Sequence, residues 1–409
     1  MKRNSLFSVL IFFVASVMGT GQTTFAQDWP QWRGAGRNGV LTGFIPPAKW
    51  EGSLEQKWKI TVGSGDATPA LVGERLYVFS REGTEEVISC VSVNDGKVIW
   101  SSKYQAPAVT GAASSHPGPR SSPAVASGKV VTFGVGGVLI CWDADTGKEL
   151  WRKEEFPKVV PQFFTAVSPL IDEGLCIIHF GGKGNGAVIA YDLNTGQQKW
   201  RWDGDGPSYS SPITATIGGV KQVIVLTERN LVGLAFADGK LLWQTLATPS
   251  GRSCNAPTPI VNGNTVIFTG QGRGMFAVKV EKDADTFKAS ELWSNPEVGC
   301  EFNTPVLKSG YLYGFSARGN LFCLDATTGK TMWVDQTKFD RFGSVLDAGS
   351  VLLALPPNGE LLVFKPNEKQ FELVEKVKLA ESQTYAHPVI SGKRIFVKDR
   401  DSVIFYALK

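Results

Sequence analysis

Cys141-Trp-Asp-Ala-Asp-Thr-Gly147-Lys-Glu-Leu-Trp151 and Ala190-Tyr-Asp-Leu-Asn-Thr-Gly196-Gln-Gln-Lys-Trp200 are one phrase written twice, and it returns at Cys323-Leu-Asp-Ala-Thr-Thr-Gly329-Lys-Thr-Met-Trp333. Shorter echoes stand at Gly96…Trp100 and Gly239…Trp243, while Trp58 and Trp293 keep the interval without the full wording. Seven of the twelve tryptophans therefore occupy one repeat position, spaced 42, 51, 49, 43, 50 and 40 residues apart. A period in the forties signals a repeat architecture rather than one irregular core.

A second mark precedes each phrase: a small or polar residue, proline, then an apolar pair. It stands at Pro69, Pro123, Pro169, Pro212, Pro259, Pro305 and Pro388, and Phe342-Gly-Ser344 fills the remaining slot without proline. That makes eight units of about 46 residues. Between the marks the text is short β-branched and aromatic runs split by Gly, Asn and Asp turns, as from Pro212 to Trp243, which reads as four strands joined by hairpins. No period of 3.6 is sustained in the chain after residue 26. The expectation is an all-β fold, an eight-bladed β-propeller of four-stranded antiparallel blades. In the repeated turn, glycine supplies positive φ and the aspartate caps amides. The tryptophan should then lie against the next blade.

The chain ends in Val403-Ile-Phe-Tyr-Ala-Leu-Lys409, a strand with no turn and tryptophan after it. The missing outer strand stands at the other end, in Glu55-Gln-Lys-Trp58-Lys-Ile60. Pairing the two would complete the eighth blade and remove two open sheet edges. The expected organisation is a signal peptide over 1–26, a leader packing on the propeller over 27–54, and the propeller over 55–409.

The signal rests on Lys2 and Arg3, the apolar run from Leu6 to Val17 and Thr24-Phe-Ala26, with no cysteine near the cleavage point. It implies a periplasmic or secreted, unlipidated protein with no transmembrane segment after cleavage. Without those two cations, 40 Lys+Arg face 38 Asp+Glu, which argues against nucleic acid as the ligand. A monomer is expected. Cys90, Cys141 and Cys323 take the small-residue place of the phrase and read as buried apolar groups. Cys254 and Cys300 each precede a blade's proline by five residues, so a disulfide between them is open.

Loops leading into the innermost strands should surround the mouth of a central channel. Three residues before each proline, or before Ser344, stand Asp66, Arg120, Ala166, Tyr209, Ala256, Phe302, Arg341 and Tyr385. Arg252, Asn255, Glu301 and Asn303 lie nearby in sequence, and nine of these form the candidate binding ring: Asp66, Arg120, Tyr209, Arg252, Asn255, Glu301, Asn303, Arg341 and Tyr385. Turns on the same face carry Arg81, Lys183, Arg229, Arg273, Arg318 and Arg400, which suggests a face attractive to anions or acidic segments. The long loop from Ser101 to Ser122 is a candidate binding loop. His116, His179 and His387 are scattered and read as structural or surface groups, and no metal-binding spacing exists. Gly181–Gly186 and Gly270–Gly274 fall at hairpin turns, where a phosphate loop would need a following helix.

The phrase Ala/Cys-x-Asp-x-x-Thr-Gly-x-x-x-Trp resembles the tryptophan-docking motif of the pyrroloquinoline-quinone (PQQ) propeller repeats, over roughly Trp58 to Lys409. Asp28-Trp-Pro-Gln-Trp-Arg-Gly-Ala-Gly-Arg-Asn-Gly39 resembles the leader of exported bacterial PQQ-like proteins. The resemblance implies one of two functions. Quinoprotein dehydrogenases oxidise alcohols or sugars with PQQ and calcium; BamB-type scaffolds carry no cofactor and dock protein partners. As a dehydrogenase, this chain would offer Asp66, Glu301 and Asn303 to calcium and Arg120 or Arg341 to the quinone carboxylates. It lacks the dehydrogenases' vicinal cysteine pair, and it also lacks the lipid-bearing cysteine of BamB. The expectation is a non-enzymatic exported scaffold binding an envelope or extracellular protein, a peptide or a glycan, with no cofactor. PQQ with calcium is the alternative.

Overall fold

Blade 4 shows how the text becomes a sheet. Strands Ile213–Ile217, Val220–Leu226, Asn230–Ala235 and Leu241–Leu246 pair antiparallel in chain order, the Gly218-Gly219 turn supplying two positive φ angles. Seven sheets are built this way, and an eighth is made from both ends of the chain. The computed structural model describes residues 28–248, 254–270 and 272–409. The expected signal peptide lies outside the described residues.

The eighth blade joins Leu54–Thr61 to Ser402–Leu408, with Trp58 opposite Phe405 and Ile60 opposite Val403. The ring is closed by sheet hydrogen bonds between the two termini, as the sequence implies.

The repeated phrase works as a joint between blades. Asp143 Oδ1 accepts from the amides of Asp145 and Thr146, and Asp192 does the same for Asn194 and Thr195. The turn glycines sit at φ 72° (Gly147) and 68° (Gly196). The missing side chain matters as much as the angle. A Cβ on Gly196 would lie 2.7 Å from the ring of Trp151 in the preceding blade, and one on Gly147 would lie 2.4 Å from Trp100. The indole N–H then donates to a carbonyl of the neighbour: Trp100 to Ala144 (3.0 Å), Trp151 to Leu193 (3.0 Å), Trp200 to Phe236 (2.9 Å). The small residue of the phrase stands directly across the sheet from the tryptophan, as in Cys141–Trp151 and Ala190–Trp200. Cys90, Cys141 and Cys323 are fully buried there.

Trp243 departs from the pattern. Blade 5 replaces the Asp-x-x-Thr-Gly turn with a long hairpin, Gly274–Asp283 and Thr286–Asn295, so no bare turn awaits the indole. Its N–H donates instead to Gln222 of its own blade at 2.6 Å, over Gly233, where a Cβ would come within 2.2 Å. The ring still packs with Val266 and Val278 of blade 5.

The residue before each proline also has a job. The His387 amide donates to Thr68 Oγ1 (2.9 Å), Thr68 to Ser122 (3.1 Å), Ser122 to Ser168 (3.0 Å) and Ser168 to Ser211 (3.0 Å). Thr258 donates likewise to Thr304 (2.9 Å). These bonds pass from blade to blade around the channel, which explains why Ser and Thr recur there.

The leader crosses the rear of the ring. Trp29 pairs with Leu71 in blade 1, the Pro30 carbonyl accepts from Val125 in blade 2, and Val40 bridges to Asp347 in blade 7. Trp32 sits near the axis, donating to Thr258 Oγ1 at 3.1 Å with its ring 4.5 Å from His387.

A blind well at the channel mouth

A cavity of about 540 Å³ opens on the loop-rich face, and Trp32 of the leader lies at its base. All eight residues at the register three before the proline line it: Asp66, Arg120, Ala166, Tyr209, Ala256, Phe302, Arg341 and Tyr385. Glu301 joins them. The volume is in the range of small-ligand pockets and of anchor pockets for inserted side chains.

One wall is aromatic. Phe302 and Phe342 stack with centroids 4.4 Å apart and planes 7° from parallel. Tyr385 meets Phe342 edge-on at 5.2 Å and His116 at 4.8 Å. Arg341 lies over Phe302, its carbon 5.2 Å from the ring centroid, and donates to Glu301 at 3.0 Å. Glu301 is 3% exposed and Arg341 49%, so the pair runs from wall to opening. Burial raises the Glu301 carboxyl and Arg341 opposes that shift.

The opposite wall is held by Arg120. Its guanidinium donates to the carbonyls of Phe163 (2.7 Å) and His116 (3.0 Å), and burial lowers its basicity. Phe163 in turn donates its amide to the Tyr209 hydroxyl at 3.0 Å, whose pKa burial pushes up to about 12. Asp66 and His116 Nδ1 are 3.0 Å apart. Two carboxylates and two guanidinium groups thus share the lining, and the well is close to electrically balanced.

Asn255 and Asn303 do not line the well. Both are buried and act as staples: Asn255 donates to the carbonyls of Thr227 and Ala247, while Asn303 donates to Phe315 and Arg341 carbonyls and accepts from the Phe315 amide. A short polar side chain beside the ring register carries no signal of which way it points. Arg252 lies outside the described residues.

The expected cation-bearing face is weaker than the sequence suggests. Arg81 is buried and pins the long loop through the carbonyls of Pro107 and Pro117. Arg273 lies over Phe268 and donates to Asn255, and Arg229 pairs with the buried Asp205 at 3.1 Å. Lys183, Arg318 and Arg400 are exposed. The long loop itself does reach the well, its single 3-10 turn Gly111–Ser115 bringing Ala113 and His116 to the wall.

Sequence reasoning missed Trp32 and Phe342, and read His116 as a structural or surface group although its loop is a candidate binding loop. Nothing local to the leader indicates a path across the axis, and His116 is delivered by a loop with no counterpart in other blades. All six cysteines are free thiols, so Cys254 and Cys300 form no disulfide; Cys254 borders the well and Cys300 is buried.

The calcium set implied by the dehydrogenase resemblance does not fit. Asp66 is engaged with His116, Glu301 with Arg341, and the Asn303 oxygen with the Phe315 amide. Among the described residues no three His, Cys, Asp or Glu side chains gather to hold a metal ion.

Residues 83–335 match the family described as outer membrane protein assembly factor BamB. The chain belongs to that family of PQQ-like propellers. Within it, BamB of Burkholderia pseudomallei (strain K96243) is 25% identical over 374 residues, 86% of this chain and 87% of that protein. The quinohemoprotein alcohol dehydrogenase of Comamonas testosteroni is 31% identical over 142 residues, but these make up only 19% of that enzyme. Among solved structures, BamB from Moraxella catarrhalis superposes with a TM-score of 0.64 at 15% identity, covering 87% of this chain and 98% of that one. A europium-containing methanol dehydrogenase superposes at 0.71 and 14% identity, covering 93% and 98%. Such identities establish the common fold alone. No helix among the described residues is long and apolar enough to cross a membrane.

Proposed function

We propose that this chain is an exported, non-enzymatic scaffold that docks a protein of the bacterial envelope on its loop-rich face, using the central well as the anchor pocket. The observation that carries this reading is the state of the well's charged groups. Glu301 is paired with Arg341 and Asp66 is hydrogen-bonded to His116, and the remaining surface is largely aromatic with one half-exposed arginine stacked upon it. Such a surface suits an inserted apolar side chain: aromatic and arginine groups dominate interface energetics, and a pocket floor gives them full desolvation. The alignment along most of its length with proteins named as outer membrane assembly factors supports the same reading.

The test is recovery of partners from envelope extract by the full chain and by Arg341→Ala and Phe302→Ala variants. Loss of partner in both, with unchanged thermal stability, is expected; undiminished recovery means that docking uses another surface. Mixing the protein with PQQ and calcium separates the enzyme reading. No change in quinone absorbance is expected, whereas stoichiometric uptake with dye reduction by alcohols or sugars overturns the scaffold. Peptides and glycans are ligands that the same titration format can try.

A further inference from the structure

The rear of the channel is gripped by two arginines of the leader at equivalent places in the repeat. Arg37 donates to the carbonyls of Pro169 (2.7 Å) and Ser168 (3.2 Å) in blade 3. Arg33 donates to Thr304 (2.8 Å) and Pro305 (2.9 Å) in blade 6. These carbonyl pairs are one position, the Ser/Thr-Pro mark. The paired strand register starts only at the next residue, Leu170 or Val306, and the guanidinium groups give these carbonyls partners. A planar guanidinium offers such a pair of oxygens two N–H groups in a fixed fork, where an ammonium offers a single rotatable point charge.

Both arginines are buried, and both sit in the left-handed backbone region, Arg33 at φ 61° and Arg37 at φ 52°. That region is disfavoured for a side chain of this kind, and outliers persist where the surroundings fix them. Here the two bends send the side chains to different blades, while Trp32 between them reaches Thr258 and His387. The leader forms a turn with bonds of its own, as from Gly34 to Gln31, Arg37 to Gly34, Gly39 to Arg33 and Arg33 to the Asn38 carbonyl. Most of its polar contacts are with the ring, the relationship of a peptide ligand to a receptor. Beyond it the chain is exposed, with Ile45 84% accessible, before Trp50 is buried again.

We infer that the rear mouth is a peptide-binding site for a segment of the form Trp-Arg-x-x-x-Arg, filled here by the chain's own leader and open to exchange with the leader of a second copy. The site is distinct from the docking face, and its departure would turn the blind well into an open channel by removing Trp32.

The test keeps the full chain. A protease site inserted between Pro47 and Ala48 is cut after folding, and the ring is passed through gel filtration with a labelled synthetic peptide of residues 28–47 in excess. The inference expects the native fragment to remain bound and to be replaced by the labelled peptide over time. Peptides carrying Arg33→Ala or Arg37→Ala should compete roughly 100-fold less well or worse, the loss of two charge-assisted bonds each. Arg→Lys peptides should recover only part of that. Peptides with both arginines replaced that compete as well as the native one overturn the inference. So does a ring that unfolds when the fragment leaves, because the leader is then part of the fold and no ligand.

Discussion

The ring of Trp151 lies on the bare Cα of Gly196, and its Nε1 donates to the Leu193 carbonyl of the same turn at 3.0 Å. The turn that ends one blade is thus the seat for the tryptophan of the blade before it. Gly196→Ala should destabilise the protein by about 2–4 kcal/mol, combining left-handed strain with displacement of a packed indole. Gly184→Ala is the control. That residue has nearly the same φ, 66°, but nothing within 4 Å of a Cβ, so only the backbone cost of about 1 kcal/mol is expected. Denaturant titration of both variants separates the two contributions.

Removing Tyr406–Lys409 deletes the pairs Gln56–Tyr406, Glu55–Ala407 and Leu54–Leu408, and the Tyr406 hydroxyl bond to Leu379. The loss should lower the melting temperature of the whole ring as one transition. A separate low-temperature unfolding of the last blade alone would contradict closure as a cooperative latch.

Acid should weaken the fold through its buried histidines. His179 Nε2 donates to the Asp205 carbonyl at 3.0 Å, and burial pushes its pKa down to about 4; burial likewise lowers His387 well below 6.5. Below 6.5 the unfolded chain takes up protons that the folded one refuses, so stability falls as pH drops from 6.5 toward 4. The loss is roughly 3 kcal/mol for His179 across that window. Chemical denaturation at pH 7 and pH 4.5 measures it, and His179→Gln should reduce the difference, leaving the share of His387.

With every thiol free, alkylation under denaturing conditions without reductant should add six groups. Four adducts, rising to six on reduction, would restore the Cys254–Cys300 bridge.

The blades were legible because their joints are local: an aspartate, a glycine and a tryptophan within eleven residues state the turn, its angle and its ring. The well was legible by the same register, since every residue three before the proline reaches it, from Asp66 to Tyr385. What the sequence hid depends on distant partners. Trp32 meets Thr258 and His387, more than two hundred residues away, with no period to betray it. Arg81 and Arg273 read as surface cations, yet loop carbonyls and aromatic rings claim them. Trp243 looked like its six counterparts, and only the missing turn in blade 5 redirects its N–H.

The central claim is that partners dock at the mouth of the well. A photo-crosslinking residue placed at Phe342, beside the well, is compared with one at Lys148, on the rear turns, in cells. Partner adducts from position 342, reduced by Arg341→Ala, are the predicted result. Adducts from position 148 with none from 342 would contradict it.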